Sequence, residues 1–232
     1  MRVWDLNPGY LNRQSLLGEH REIHAVFSII ENDKRGYARH PETLRWVGRL
    51  PALGHRHSLV VSEMQLRGYQ HYSPVSQAHG PAWPEVYVDP PGAQFRLLQA
   101  KYVDRELGRI PLPLNAQQLW AQHKYSVLAR DPEAYRRLGR MLARADSGVS
   151  IEGLAAELVR YLRERPPEGR LLNALQHLWG YVSDLADEGV RQVPDGPAAL
   201  IEAVRHLSVK YQVVYLLEST ALSDLHTWIL AG

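Results

Sequence analysis

LLGEHREIHAVF, residues 16–27, is the stretch that sets the fold of the first part of this chain. It lies inside a longer segment, residues 9–31, in which apolar residues recur every three or four positions. These apolar residues are Leu11, Leu16, Leu17, Ile23, Val26, Phe27 and Ile30. The spacing predicts one amphipathic helix over residues 9–31.

The rest of the chain also has the pattern of helices separated by proline and glycine. In the first half we predict helices at residues 41–47, 54–66 and 94–107, with an irregular Pro-rich segment at 73–92. In the second half we predict helices at 115–130, 131–145, 150–165, 169–187 and 197–217, with Asn115 and Asp131 as N-caps. No convincing strand alternation is present, so we predict an all-α fold. The segment IPLPLN, residues 110–115, predicts a boundary between helical domains at 1–110 and 115–232.

Composition excludes several classes of site. The chain has 232 residues and no cysteine, which rules out disulfides, thiolate zinc sites and cysteine nucleophiles. No apolar run has the length of a signal peptide or a membrane span, so we expect a cytoplasmic protein without a membrane partner. Net charge is only +2, and the only lysines are Lys34, Lys101, Lys124 and Lys210. An amine nucleophile therefore has few candidates besides the N-terminus.

The predicted first helix carries a cluster of charged residues. Glu19, His20, Arg21 and Glu22 fall within one helical turn, and Glu19 and Glu22 share a face. The cluster is also what an ordinary solvated helix face would show. A free α-amino group beside a carboxylate, however, can attack the C1′ atom of a sugar. The Met1 amine and a carboxylate of this cluster are therefore candidate catalytic groups.

Histidine pairs raise the alternative of a metal-dependent hydrolase. His20 and His24 have the i,i+4 spacing of a helical metal pair, and His55 and His57 add two imidazoles. The HExxH order is missing, so we predict neither a metal nor another cofactor. Placed at a helix N-terminus, His55, Arg56 and His57 instead suit either a phosphate contact or structural capping of the helix. The segment RGYQHYSP, residues 67–74, combines aromatic and basic residues and suits either base stacking or a helix C-cap with a packed Tyr69.

Residues 1–72 resemble the endonuclease V-type pyrimidine-dimer DNA glycosylase family. The resemblance rests on LLGEHREIHAVF and on GHRHSLVVSEMQLRGYQH, residues 54–71, and it implies a glycosylase-like helical domain over residues 1–110. It implies that an N-terminal amine attacks C1′, expels the base and forms an imine, while Glu22 assists β-elimination. It also implies that Arg2 and Arg21 hold phosphates. Because Arg2 is a large residue, we expect Met1 to be retained.

Two positions depart from that family's pattern. Ser15 stands where the family has a histidine, and Ala25 stands where it has an arginine. Both changes remove expected DNA contacts but leave the amine and the glutamate in place. They put specificity for pyrimidine dimers in doubt more than the chemistry itself.

Residues 115–232 resemble a different bacterial helical domain of unknown function, found fused to thiouracil desulfidases and encoded beside photolyases. The similar stretches are HKYSVLARDPEAYRRLGRMLAR (123–144), LNALQHLWGYVSDL (172–185) and VRHLSVKYQVVYLLEST (204–220). The resemblance implies tRNA binding. The candidate nucleic-acid contacts in this half are Lys124, Arg136, Arg137, Arg140 and Lys210.

The leading hypothesis is a glycosylase and AP lyase that acts on damaged or modified pyrimidines in DNA or tRNA. The alternative is a non-catalytic tRNA- or DNA-binding protein on the same scaffold. The sequence predicts no oligomeric state.

Overall fold

The computed structural model describes residues 1–75, 82–144, 148–186 and 194–230. Within these ranges the chain forms helices and no strand, which confirms the all-α prediction. The α-helices are α1 Arg13–Glu31, α2 Pro41–Trp46, α3 Leu50–Leu66, α4 Pro91–Lys101, α5 Ala116–Leu128, α6 Pro132–Leu142, α7 Ile151–Leu162, α8 Glu168–Trp179, α9 Gly196–Lys210, α10 Val214–Leu217 and α11 Ala221–Leu230. Short 3₁₀ turns form at Pro8–Tyr10 and Ser183–Leu185. No helix in the described ranges is both long and apolar enough to cross a membrane.

Two predicted N-caps, Asn115 and Asp131, are confirmed as the starts of helices. The Asn115 side chain accepts a hydrogen bond from the backbone N–H of Gln118, and α5 begins at the next residue. The Asp131 side chain accepts from the N–H groups of Glu133 and Ala134, with proline in the first turn of α6. Each cap satisfies backbone donors that the first helical turn leaves unpaired.

Several helix bounds differ from the predictions. Helix α1 begins at Arg13 instead of 9, and α4 covers Pro91–Lys101 instead of 94–107. Helix α3 begins at Leu50 instead of 54, because Pro51 fits the first turn of a helix. The predicted helix at 197–217 is broken into α9 and α10, where Gln212 takes a φ of 51°. Helix α11 was not predicted at all. Helix α8 ends at Trp179, before the predicted end at 187, and a separate 3₁₀ turn follows at Ser183–Leu185. Residues 76–81, 145 and 187 lie outside the described residues.

The hydrophobic cores do not follow the predicted boundary near residue 112. One core combines the N-terminal arm and α1–α4 with side chains of α5, α6 and α7. A second core is built mainly from α5, α8, α9 and α11 and includes Leu66 of α3. Helix α3 packs on α11, and α4 packs on α7. The division into two domains stays a prediction, but the two halves share side-chain packing.

The N-terminal arm, residues 1–12, is a buried part of the structure. Val3, Trp4 and Leu6 are almost fully buried, and Tyr10 is completely so. After the arm, Asn12 caps α1 by accepting a hydrogen bond from the Ser15 N–H at 2.9 Å. The arm thus carries the chain start to the side of α1.

Candidate active site

Met1 and Glu22 line the same cavity. The cavity has a volume of about 430 Å³ and lies between the arm, α1 and α4. Its lining residues are Met1, Arg2, Trp4, Gln14, Ser15, Gly18, Glu19, Glu22, Leu97 and Lys101. The first residue of the chain and the half-buried carboxylate of Glu22 therefore line one cavity.

A second cavity adjoins the same two residues. It has a volume of about 460 Å³ and is lined by Met1, Glu22, Ala25, Ser28, Ile29, Lys34, Gly36 and Tyr37. Ser15, which departs from the family pattern, lines the first cavity, and Ala25 lines the second. The small side chains at these departures therefore lie at the candidate site itself.

A buried ion pair fixes the arm against α1 and α3. The Arg56 guanidinium donates to both carboxylate oxygens of Glu19, at 2.9 and 2.8 Å, and to the Leu6 carbonyl at 2.7 Å. The Glu19 Oε1 atom also accepts the backbone N–H of Trp4 at 2.8 Å. Burial raises the pKa of Glu19, and the Arg56 charge acts against that rise. Glu19 is thus an anchor of the arm, whereas Glu22, one turn later, keeps part of its surface exposed.

A second buried arginine holds the arm from helix α2. Arg45 donates to the Val3 carbonyl at 2.9 Å and pairs with Asp5 at 3.0 Å. The Thr43 hydroxyl lies 3.3 Å from the Met1 sulfur. Together with the Glu19 contacts, these interactions limit how far the α-amine of Met1 can move.

The two arginines expected to hold phosphates differ in their surroundings. Arg2 pairs with Asp89 at 2.7 Å and lies over the Trp4 ring at 5.0 Å, so its charge is partly engaged. Arg21 is exposed on α1, and its Nε donates to the Leu17 carbonyl at 3.2 Å.

Lys101 was missed by the sequence reasoning, although it lines the cavity with Met1. It lies at the end of α4, about eighty residues from Glu22, and no local pattern connects the two. Burial, with the charges of Arg105 and Arg2, lowers the pKa of Lys101 from its ordinary value. A lowered pKa leaves more of the amine neutral and nucleophilic.

The segment His55-Arg56-His57 does not lie at a helix N-terminus, because α3 begins five residues before His55. Arg56 is 3% exposed and fully engaged with Glu19 and Leu6, so the phosphate contact expected of it does not fit this placement. The His55 ring lies 3.9 Å from the Trp228 ring. Burial, and then Arg130 and Arg56, lowers the pKa of His55 to about 3. This segment packs inside the protein.

His57 belongs instead to a cluster of four histidines with His20, His24 and His71. Burial and the neighbouring imidazoles lower the pKa of His57 to about 3. Burial and the same kind of neighbours lower the pKa of His20 to about 4. His20 and His57 are therefore neutral at pH 7. His55, which the sequence pairs with His57, is not a member of this cluster, and the fourth member is His71.

The arginines of α6 form an exposed basic face. Arg136, Arg137 and Arg140 are all exposed, while Ala134 and Leu138 of the same helix are buried. The three arginines line a shallow depression of about 560 Å³ together with Asp131, Glu133, Ala134 and Tyr161. Arg137 pairs with Glu157 at 2.6 Å. The structure brings these three predicted residues together on one surface.

Lys124 lies in a different place, beside a cluster of tyrosines. Its ammonium is 5.2 Å from the centre of the Tyr125 ring and 5.1 Å from that of Tyr215. The Tyr125 hydroxyl donates to that of Tyr181 at 2.9 Å, and Tyr181 and Tyr215 are 47% and 40% exposed. Lys210 lies over the Tyr211 ring at 4.9 Å. Aromatic faces beside ammonium groups are suited to stacking on bases.

Comparison with known protein families gives two matches. Residues 1–77 match the family described as pyrimidine dimer DNA glycosylase. Residues 124–194 match a family described only as a protein of unknown function, DUF1722. The chain is a fusion of these two segments. Neither a curated protein nor a solved structure gave a significant match.

The glycosylase match confirms the resemblance and supports a repair function of the pyrimidine dimer glycosylase type, which implies DNA binding. The matched segment contains the arm, α1, α2 and α3, and with them Met1 and Glu22. Helix α4 and Lys101 lie outside both matched segments. One wall of the candidate active site therefore comes from a part of the chain that neither match covers.

Proposed function

We propose that this protein is a DNA glycosylase and AP lyase whose nucleophile is the α-amine of Met1, with Glu22 as the acid–base residue. The observation that carries the proposal is that Met1 and Glu22 line the same cavity, inside the segment that matches the glycosylase family. An α-amino group has an ordinary pKa of about 8, against about 10.4 for lysine, so more of it is neutral at pH 7.

The chemistry proceeds in two steps. In the first, the Met1 nitrogen forms a bond to C1′ of the damaged nucleotide while the C1′–N bond to the base breaks, and the base nitrogen takes up a proton. The sugar ring opens to give a protonated imine between Met1 and C1′. In the second, Glu22 removes a proton from C2′, and the C3′–O bond breaks so that the 3′ phosphate leaves. Such acid–base assistance contributes typically about 10²–10⁴-fold to a rate.

Several cationic groups near and beyond the cavity suit a nucleic-acid substrate. Arg2 and Lys101 lie beside Met1 in the cavity wall. Farther away, the exposed arginines of α6 give a surface for the phosphate backbone, and Lys124 with its neighbouring tyrosines gives a stacking surface. We propose that the second half of the chain grips the DNA or tRNA on which the first half acts.

A second candidate nucleophile is Lys101. It lines the cavity with Glu22, and burial lowers its pKa. A mechanism through its Nζ atom would form the same type of imine. The two amines are distinguished by which one becomes bonded to the sugar.

The test is a single-turnover assay on duplex DNA that carries a cyclobutane pyrimidine dimer or an abasic site. On dimer-containing DNA we expect cleavage of one glycosidic bond, with the freed base still bonded to its dimer partner, followed by strand cleavage; on abasic DNA we expect strand cleavage alone. The intact mass of the wild-type protein should show Met1 retained. An added N-terminal residue that displaces the amine should abolish cleavage, and Glu22→Gln should slow it by about 100-fold or more. Lys101→Gln should weaken DNA binding but keep cleavage at saturating protein.

Cleavage that survives the N-terminal extension but not Lys101→Gln would assign the nucleophile to Lys101. Binding without cleavage by the wild type would favour the non-catalytic alternative.

A further inference from the structure

Four imidazoles from three parts of the chain converge on one point. His20 and His24 lie on α1, His57 lies on α3, and His71 lies on the segment that follows α3. One ring nitrogen from each histidine can be chosen so that all four nitrogens lie within 4.8 Å of one another. The i,i+4 spacing on α1 explains why His20 and His24 lie side by side. Nothing in the local sequence requires His57 and His71 to lie beside them.

The distances fit a tetrahedral metal site. The Nε2 atom of His24 lies 3.3 Å from that of His20 and 3.2 Å from that of His57. In a tetrahedral site with Zn–N bonds of about 2.0–2.1 Å, neighbouring nitrogens are about 3.3–3.4 Å apart. The largest nitrogen separation in the cluster must contract by roughly 1.5 Å to reach this value. A small shift of one or two rings is enough.

The rings approach the common point from different directions. Ring centres of neighbouring histidines are 4.7–5.1 Å apart, and the planes of His20 and His71 are nearly perpendicular, at 88°. Stacked aromatic rings would be closer to parallel. Converging nitrogens on rings in different planes are the arrangement that four ligands of one ion adopt.

A hydrogen-bonded group of histidines explains only part of the arrangement. A ring nitrogen either carries a proton and donates or lacks one and accepts, so His24 Nε2 cannot donate to one of its two neighbours and accept from the other. The Nε2 atom of His71, moreover, is buried and has no hydrogen-bond partner among the described residues. Buried polar atoms are nearly always partnered, so an unpaired one in a cluster of ligand atoms points to a missing partner.

We propose that His20, His24, His57 and His71 bind one divalent late first-row metal ion, with Zn²⁺ as the best-suited ion. Imidazole nitrogens suit Zn²⁺, Cu²⁺ and Ni²⁺, and tetrahedral geometry favours Zn²⁺ among them. Four protein ligands fill the coordination shell, which is typical of a structural site and leaves no position for a catalytic water. The ion would fasten the segment after α3 to the α1–α3 pair.

The metal site is separate from the proposed active site. Of the described residues that line the two cavities at Met1, none is a member of the histidine cluster. His57 and His71 instead line a third cavity of about 180 Å³, beside α3 and α11. Metal binding therefore does not depend on the amine mechanism being correct.

The experiment uses the full chain without a histidine tag, treated with a chelator and then titrated with Co²⁺ and Zn²⁺. We expect one ion bound per chain, a tetrahedral Co²⁺ absorption spectrum that Zn²⁺ abolishes, and a higher Tm with Zn²⁺. His71→Ala should weaken Zn²⁺ binding by about 100-fold or more, because loss of a ligand costs at least as much as loss of an outer-shell contact. His71 lies on an irregular segment, so this variant should keep the helical circular dichroism spectrum.

His177→Ala is the matched control, because His177 is exposed on α8 and far along the chain from the cluster. It should bind Zn²⁺ as the wild type does. His24→Ala, on α1, is the second ligand variant and should lose binding as His71→Ala does. Absence of saturable binding by the wild type, an octahedral Co²⁺ spectrum, or equal binding by His71→Ala and His177→Ala would overturn the proposal.

Discussion

Replacing Glu19 by glutamine tests whether Glu19 stabilises the fold while the nearby Glu22 serves catalysis. Glu19 is buried, and it is the partner of Arg56 and of the Trp4 backbone N–H. Glu22 is only half buried and faces the cavities at Met1. We predict that Glu19→Gln destabilises the fold and that Glu22→Gln impairs the chemistry.

The size of the effect follows from what the Arg56 side chain would lose. Two of its donors point at the Glu19 carboxylate, and the guanidinium is 3% exposed, so water does not replace the lost partner. Breaking a buried ion pair by removing one charge costs about 3–5 kcal/mol. For a chain of this length that corresponds to a fall in Tm of roughly 6–20 °C. Glu22→Gln removes a partly exposed charge and should change the stability by less than about 0.5 kcal/mol.

The assay combines urea unfolding, followed by circular dichroism, with single-turnover cleavage of abasic DNA on the same preparations. Glu19→Gln should unfold at a clearly lower urea concentration. Glu22→Gln should unfold with the wild type but cleave about 100-fold or more slowly. Equal stability of Glu19→Gln and wild type, or equal loss of stability in both variants, would show that this division of roles is wrong.

Three further predictions concern pH, packing and DNA binding. The pKa of His55 is about 3 in the folded protein, below its unfolded value of about 6.5. Its contribution to the free energy of unfolding is therefore complete above pH 6.5 and is lost as pH falls toward 3, by about 1.4 kcal/mol per pH unit. Urea unfolding at several pH values should show a shallower decline of stability in His55→Gln than in the wild type. Gly108→Ala should lower the free energy of unfolding by about 1–3 kcal/mol, because an added Cβ would lie 2.5 Å from the Gly9 carbonyl oxygen. Unchanged stability in thermal unfolding would contradict that packing. Arg140→Ala should reduce the slope of log binding constant against log salt concentration by about 1, whereas the exposed Arg165→Ala should leave the slope unchanged.

Local sequence signals predicted much of the helical framework. Asn115 and Asp131 act as N-caps where the sequence places them, since a cap depends on residues within one turn. Gly68 takes a φ of 81° just after α3, which is the helix end that a glycine at this position predicts. The break between α9 and α10 was missed, because the apolar pattern continues through it while Gln212 adopts a left-handed conformation.

The details of the sites depend on contacts between distant parts of the chain, which periodicity does not reveal. The sequence places Glu19 and Glu22 on one helix face, but only the approach of Arg56 from α3 makes the first an anchor of the arm. Lys101 reaches the cavity because α4 packs beside the arm. His71 joins the histidine cluster because the chain turns back after α3. Arg56 lies 37 residues after Glu19, Lys101 lies 79 residues after Glu22, and His71 lies 47 residues after His24.

The most direct test of the central claim is to locate the bond between the protein and DNA. Abasic duplex DNA is incubated with the wild-type protein and borohydride, the adduct is digested, and the modified peptide is sequenced by mass spectrometry. The sugar remnant should be on the α-nitrogen of Met1, and the adduct should be absent when the N-terminus is extended. A remnant on Lys101 or on any other lysine, or the absence of a trapped adduct under conditions of strand cleavage, would contradict the assignment of Met1 as the nucleophile.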